Sequence, residues 1–209
     1  MLENLMIEQP SRTIYLGADI DNGSVAETCS NLLKVIKYDI DGMNKYRNWE
    51  ITPIDLYIQS FGGSVDDMWA LIDIIESSQT PIFTYCSGYC MSSAALIFLA
   101  GHYRYMSKHS HIMFHQMSVG SYDKITDRKL TNKYLDDEHK EMMKYIKKHT
   151  KLGKKFFKRF DKNKEDIYLT SKECLKYGIC DEIIKKSNLR KEVLSQIEAS
   201  KNVNYDYIM

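Results

Sequence analysis

The sequence lacks a long apolar run. Its longest candidate, Met91 to Ala100, has ten residues, where a membrane span needs roughly 18 or more. That length suits a buried core helix. The N-terminal stretch MLENLMIEQPSR carries acidic residues and no apolar block, so it does not read as a secretory signal. The expectation is a soluble, cytoplasmic chain with no membrane partner. An excess of either charge is also missing: 29 Lys and Arg face 28 Asp and Glu, a net charge of +1. Dedicated nucleic-acid binders carry a strong basic excess, so nucleic acid is not an expected partner. Proline is scarce, at three residues, and there is no internal repeat or low-complexity block.

Cysteine is present but unsuited to a disulfide framework. The five residues, Cys29, Cys86, Cys90, Cys174 and Cys180, are odd in number and irregularly spaced. Cys86 and Cys90 lie four apart, with no second pair at zinc-ligand spacing to follow. Reduced, mostly buried thiols are expected. The six histidines are scattered and none belongs to an HExxH motif, so no metal is expected. What remains is an ordinary globular composition, 44% hydrophobic and 27% charged. A chain of 209 residues suits one domain with a real core.

Along the chain, β-rich runs alternate with helical patterns. Thr13 to Gly17 reads as a strand, and Val25 to Tyr38 as a helix followed by a polar connection with Gly42 and Asn44. Ile54 to Ser60 reads as a second strand. Val65 to Ser77 follows as a helix with Met68, Leu71, Ile72 and Ile75 on one face. Pro81 to Cys86 reads as a third strand ending at Ser87-Gly88, and Met91 to Ala100 as a helix apolar almost all round. Tyr103 to Met106 and His111 to His115 are further short strands. This alternation predicts an α/β fold with a parallel sheet. Ile125 to His149 is long, charged and thinly apolar, a helix either exposed or packed on a partner. Thr170 and Glu173 fit a capping box. Gly178 fits that helix's end, Cys180 to Ile184 reads as a last strand, and a polar tail follows.

Four segments have chemical potential. Gly88 to Ala95 follows a strand and opens a helix, so a serine there faces unpaired N–H groups and the positive end of the helix dipole. Ser92 or Ser93 at that place is either a nucleophile or a plain helix cap. Ser60 to Val65 holds Gly62-Gly63 between a strand and a helix, a tight turn or a backbone that approaches a ligand closely. It has neither the P-loop lysine nor the G-x-G-x-x-G spacing. His115 ends an apolar strand, where sites occur in α/β sheets, and otherwise reads as a structural histidine. Asp166 precedes an apolar turn, either to orient a histidine or as a solvated loop carboxylate. Together these segments supply a nucleophile, a base, an orienting acid and oxyanion donors in one domain.

These motifs carry a family resemblance. Ile58 to Val65 (IQSFGGSV) resembles the I-N-S-P-G-G-x-V of the ClpP peptidases, and Gly88 to Ala95 (GYCMSSAA) their G-x-A-A-S-M-G-A. Met113 to Gln116 (MFHQ) resembles M-I-H-Q, and Asp166 to Gly178 the family's D-x-F-L-[ST] segment with its later Y-G. The match runs from about Arg12 to Ile184. It implies a ClpP/crotonase-like α/β fold of stacked βαβ units with a projecting helical handle at about 125–150. The peptidase domain spans 12–185, between a short N-terminal segment, 1–11, and a polar tail, 186–209. It further implies a Ser92–His115–Asp166 triad, with the backbone amides of Gly63 and Ser93 as oxyanion hole. The Ser–His–Asp order differs from that of α/β-hydrolases. No metal or organic cofactor is implied for the peptidase itself. The implied partners are further copies of the chain, in two stacked seven-membered rings, an AAA+ Clp ATPase that consumes the ATP, and unfolded protein or peptide substrates.

The sequence departs from the family pattern at Met91 and Ser93, beside the nucleophile, and at Met117, where proline is usual after H-Q. Lys164-Glu165 stands where the family carries Asp-Arg for an ion pair across the ring interface, so the charge order is reversed. The stretch before Arg12 is shorter than the family's axial segment. Of the aromatic positions lining its ATPase cleft, Tyr57 is kept while Asp55 and Ser77 are not aromatic. Two other settings fit the same residues: a non-catalytic ClpP-like ring subunit, and a capsid-maturation protease working without an ATPase. A crotonase-type hydratase shares the fold but not this residue set.

Overall fold

The computed structural model describes residues 9–117 and 128–184, the side chains of 128–132 excepted. Alternation of buried and half-buried residues builds the sheet. In β2 (Ile54–Ser60), Ile54, Leu56, Ile58 and Ser60 face the core while Asp55, Tyr57 and Gln59 do not. β1 (Thr13–Leu16), β2, β3 (Ile82–Met91), β4 (Tyr103–Met106) and β7 (Glu182–Ile183) lie side by side in that order, all parallel. Two more strands, β5 (His111–Phe114) and β6 (Ile167–Thr170), join through β3.

β3 does not stop at Ser87-Gly88, where the turn residues suggest an end. It bends there and runs on to Met91. Before the bend, Phe83 to Cys86 pair with β4. After it, Tyr89 to Met91 pair in parallel with β5, and the register with β2 shifts between Ile58 and Ser60. Gly88 takes a φ of +98° that other residues resist. The buried Ser110 hydroxyl closes the corner: Oγ accepts from Gly88 N at 3.0 Å and donates to the Cys86 carbonyl at 2.8 Å. β5 then pairs antiparallel with β6. A glycine signal here marks a bend inside a strand, not its end.

The helices cover the sheet. α1 (Asn22–Lys45) begins at a capping box, with Asp21 accepting from Ser24 N at 2.8 Å and Ser24 Oγ accepting from Asp21 N at 3.1 Å. It runs one and more turns past Tyr38, through Gly42, where a Cβ would lie 2.2 Å from the Trp49 ring. Gly42 is therefore a seat for Trp49 and not a breaker. One turn earlier Asp39 is fully buried. It takes a bidentate pair from the Arg12 guanidinium, a Thr80 hydroxyl at 2.8 Å and Trp49 Nε1 at 3.2 Å.

α2 (Val65–Ser77) buries Met68, Leu71, Ile72 and Ile75, as its spacing predicts. α3 (Ser93–Leu99) is buried on every side. α4 (Arg128–His149) covers the described part of the helix expected over Ile125–His149; 125–127 lie outside the described residues. It is not free of its own chain: Met142, Tyr145 and Ile146 are buried. Trp69 Nε1 donates to Glu138 at 2.8 Å, and the Tyr145 hydroxyl donates to Glu76 at 3.0 Å, tying it to α2. α5 (Lys154–Phe157) leads through a π-helical turn at Lys158–Lys162 to β6. α6 (Ser171–Lys176) carries the Thr170–Glu173 capping box. All five cysteines are free, four of them buried. Burial pushes the Cys174 thiol up and that of Cys180 to about 12, so both stay protonated.

Burial raises the Asp39 pKa, and the bonds from Arg12, Thr80 and Trp49 outweigh it, leaving the carboxyl below its ordinary range. Asp39→Ala strands Arg12, Thr80 and Trp49, and is expected to cost about 3–5 kcal/mol, which is a fall in Tm on the order of 10 °C. Because the folded pKa is lowered, this stabilisation is complete above the ordinary carboxylate pKa and disappears as the pH falls through the folded value. Thermal melts of wild type and variant should therefore converge in acid, and a gap independent of pH would contradict the ion pair's role.

Candidate active site

Three parallel strands, β2, β3 and β5, finish at one edge of the sheet, the place where α/β proteins assemble sites. β3 hands over to α3 through Ser92, whose backbone sits at φ 55° and ψ −126°. A non-glycine residue there carries strain on the order of 1–3 kcal/mol. Its N–H donates to the Met113 carbonyl of β5 at 2.9 Å, which pins the turn. Ser92 forms no side-chain cap on α3. Instead its Oγ lies 2.8 Å from His115 Nε2. His115, half-buried, directly follows β5. With the imidazole neutral and its proton on Nδ1, Nε2 accepts from the serine hydroxyl.

The glycine turn after β2 packs against this pair. A Cβ on Gly62, whose φ is +104°, would meet the Met91 carbonyl and Ser92 Cβ at 2.7 Å each. A Cβ on Gly63, at φ +152°, would lie 2.2 Å from the Ile20 carbonyl oxygen. Ile20 donates to the Gly62 carbonyl at 2.8 Å and accepts from Ser64 N at 2.7 Å, so the Gly63 N–H stays outside that bridge. The Ser93 amide is the first of α3 and has no intrahelical acceptor. Gly63 and Ser93 line one cavity with Ser92 and His115.

Asp166 stands apart. The β5–β6 ladder ends with Phe114 opposite Ile167, so His115 and Asp166 are the next residues beyond that last pair. Asp166 is exposed, and among the described residues it makes no hydrogen bond or ion pair. Lys164, two residues before it, holds a φ of 55°. Glu165 is engaged within the chain, by Arg159 Nε at 2.6 Å and Asn163 Nδ2 at 2.8 Å.

A sequence model of the family described as Clp protease matches residues 6–187. The chain belongs to the Clp protease family. It is 28% identical over 177 residues to an ATP-dependent Clp protease proteolytic subunit of Bacteroides fragilis, covering 84% of this chain and 80% of that protein. Proteolytic subunit 4 of Rhodococcus jostii is 29% identical over 175 residues, covering 83% and 84%. Subunit 1 of Corynebacterium glutamicum is 28% identical over 184 residues, covering 86% and 82%. Among the described residues no helix is long and apolar enough to cross a membrane.

The cavity of this Clp protease family member measures about 380 Å³ and includes residues that the sequence patterns did not single out. Leu135, Glu138 and Met142 line it from α4 and Asp66 from α2, joining Val65 and Met117 of the motif segments. Their spacing of three and four residues puts the α4 trio on one face. That periodicity was present in the sequence but diluted by the charged residues around it. Among the described residues no three His, Cys, Asp or Glu side chains are placed to hold a metal ion.

The short Ser92–His115 contact predicts a nucleophilic serine. A fluorophosphonate probe should form a Ser92 adduct, measured by intact mass, and His115→Ala should slow labelling by about 10²–10⁴-fold. Equal rates in the two proteins would mean that the imidazole does not activate the hydroxyl.

Proposed function

We propose that this chain is a serine-type endopeptidase acting inside an oligomeric chamber, the proteolytic subunit of an ATP-dependent Clp-type protease. The carrying observation is Ser92 Oγ at 2.8 Å from His115 Nε2. His115 takes the Ser92 proton as Oγ attacks a peptide carbonyl, then returns it to the leaving amine. The Gly63 and Ser93 amides receive the developing oxyanion. Water resolves the acyl-enzyme by the same route. Asp166 is the orienting acid in this reading, drawn against His115 Nδ1 when the ladder of β5 and β6 extends by one pair. The bond cleavage itself needs no cofactor, and ATP serves a partner ATPase.

The partner reading has its own support. On the sheet face away from the buried core, Tyr57 stacks on Tyr85 at 4.5 Å, and Tyr85 on Tyr105 at 4.8 Å. Phe83 and Tyr103 flank them. This half-buried aromatic ladder compensates for the non-aromatic Asp55 and Ser77, and suits an apolar anchor from an ATPase. A second reading, a non-catalytic ring subunit, draws on the separation of Asp166 from His115.

Hydrolysis of a short fluorogenic peptide, without an ATPase, separates the two readings. Wild type is expected to cleave, and Ser92→Ala to lose about 10⁴–10⁶ of the turnover, with both eluting as rings in sizing chromatography. Assembled wild type that cleaves nothing favours the scaffold.

A further inference from the structure

The cavity beside Ser92 has walls and charges of different character. Val65, Met117, Leu135 and Met142 give it aliphatic walls. Its charged lining is of one sign: among the described residues it holds the carboxylates of Asp66 and Glu138 and no lysine or arginine. Glu138 is half-buried and fixed from behind, its Oε2 accepting from Trp69 Nε1 at 2.8 Å. Oε1 has no donor among the described residues. Asp66, at the exposed rim, accepts the Tyr134 hydroxyl on Oδ1 at 2.6 Å, and Oδ2 is similarly open. Ser93 is 1% exposed, and its Oγ is buried without a hydrogen-bond partner.

Each class of substrate side chain meets these groups differently. A purely apolar one would cover Glu138 and leave its open oxygen unsatisfied, which is unfavourable for a charged group. An acidic one would face two carboxylates. A long unbranched side chain with a cationic end lays its methylenes along the methionine, leucine and valine walls and brings its N–H donors to the carboxylates. Glu138 is well suited to receive it, because it is carried on a packed helix and held by Trp69, so little is lost in ordering it.

We propose that this cavity selects lysine or arginine at the substrate residue whose carbonyl Ser92 attacks, with Glu138 recognising the cationic end and Asp66 assisting at the rim. The proposal rests on the peptidase reading and names its substrate class.

The test uses fluorogenic peptides that differ only at that residue, lysine against leucine, on the assembled full-length chain. Glu138→Gln removes the charge yet still offers Trp69 an acceptor. Wild type is expected to favour lysine in kcat/KM. The lysine-to-leucine ratio should fall about 10–100-fold in Glu138→Gln, a moderate change because the carboxylate is half-buried and partly screened. Peptidyl phosphonates with the same two residues, read by intact mass of the Ser92 adduct, give the same ratio without turnover. A wild-type preference for leucine, or a ratio that Glu138→Gln leaves unmoved, overturns the proposal and leaves the peptidase reading intact. Failure of every peptide and every phosphonate to react overturns both together.

Discussion

β3 is shared between two sets of neighbours, and the site exists because of that exchange. A straight strand pairs with the same two partners along its length. β3 gives its first half to β4 and its second half to β5, changing over at Gly88. The change carries the end of β5 alongside the end of β3, and only then do His115 and Ser92 become neighbours. The corner is held by few groups. Gly88 supplies a backbone conformation without a Cβ, and the buried Ser110 hydroxyl bridges the Gly88 amide and the Cys86 carbonyl. Sheet pairing beyond the corner then fixes the register, Met91 opposite Met113, which sets Ser92 one step before the histidine.

Strain at the serine follows from the same construction. β3 must end and α3 begin within one residue, so Ser92 takes up the left-handed backbone value. What holds it there is on all sides: the Met113 carbonyl on its N–H, the Gly62 backbone pressed against its Cβ, and a wholly buried α3 behind it. The glycines are thus required for two separate reasons. Gly62 makes room for the serine, and Gly63 makes room for the Ile20 carbonyl while keeping its own amide outside the bridge. Both are steric demands of neighbouring backbone, and they account for a Gly-Gly pair at this turn.

Much of this was legible in the sequence because local pattern and tertiary role agree. The apolar stripe of α2, the Thr170–Glu173 capping box and the strand of alternating residues at Ile54–Ser60 each depend on residues close in sequence. The features that escaped depend on distant partners. α1 outlasts Tyr38 because Arg12, Thr80 and Trp49 satisfy a carboxylate within it, and no window of sequence displays that. β3 outlasts Gly88 because β5 is waiting to pair with it. The pocket face of α4 was obscured because Leu135, Glu138 and Met142 include a charge whose partner, Trp69, lies on another helix. Ser92 and Ser93 were alternatives for one role, and geometry separates them: Ser92 Oγ meets the imidazole, while the Ser93 hydroxyl is buried without a hydrogen-bond partner.

Asp166 makes the same point from the other side. In an antiparallel ladder, residues directly opposite project to one face with their Cβ atoms about 4.5–5.5 Å apart, so one further pair beyond Phe114–Ile167 would bring Asp166 to His115. The ladder stops short for local reasons. Ile167 is buried and fixed, Glu165 is clasped by Arg159 and Asn163, and Lys164 turns the chain away at a positive φ. Asp166 lies between two anchored residues, its carboxylate in water, where an unpaired charge is most stable. Pairing with the imidazole has to exceed that hydration and the turn's own hydrogen bonds. Such a balance shifts most readily when water is excluded from the His115 side, because a charge-assisted bond strengthens as its surroundings dry. In the proposed peptidase reaction a substrate filling the cavity beside Ser92 would supply that exclusion, and occupancy of the cavity and approach of Asp166 would then be mutually favourable.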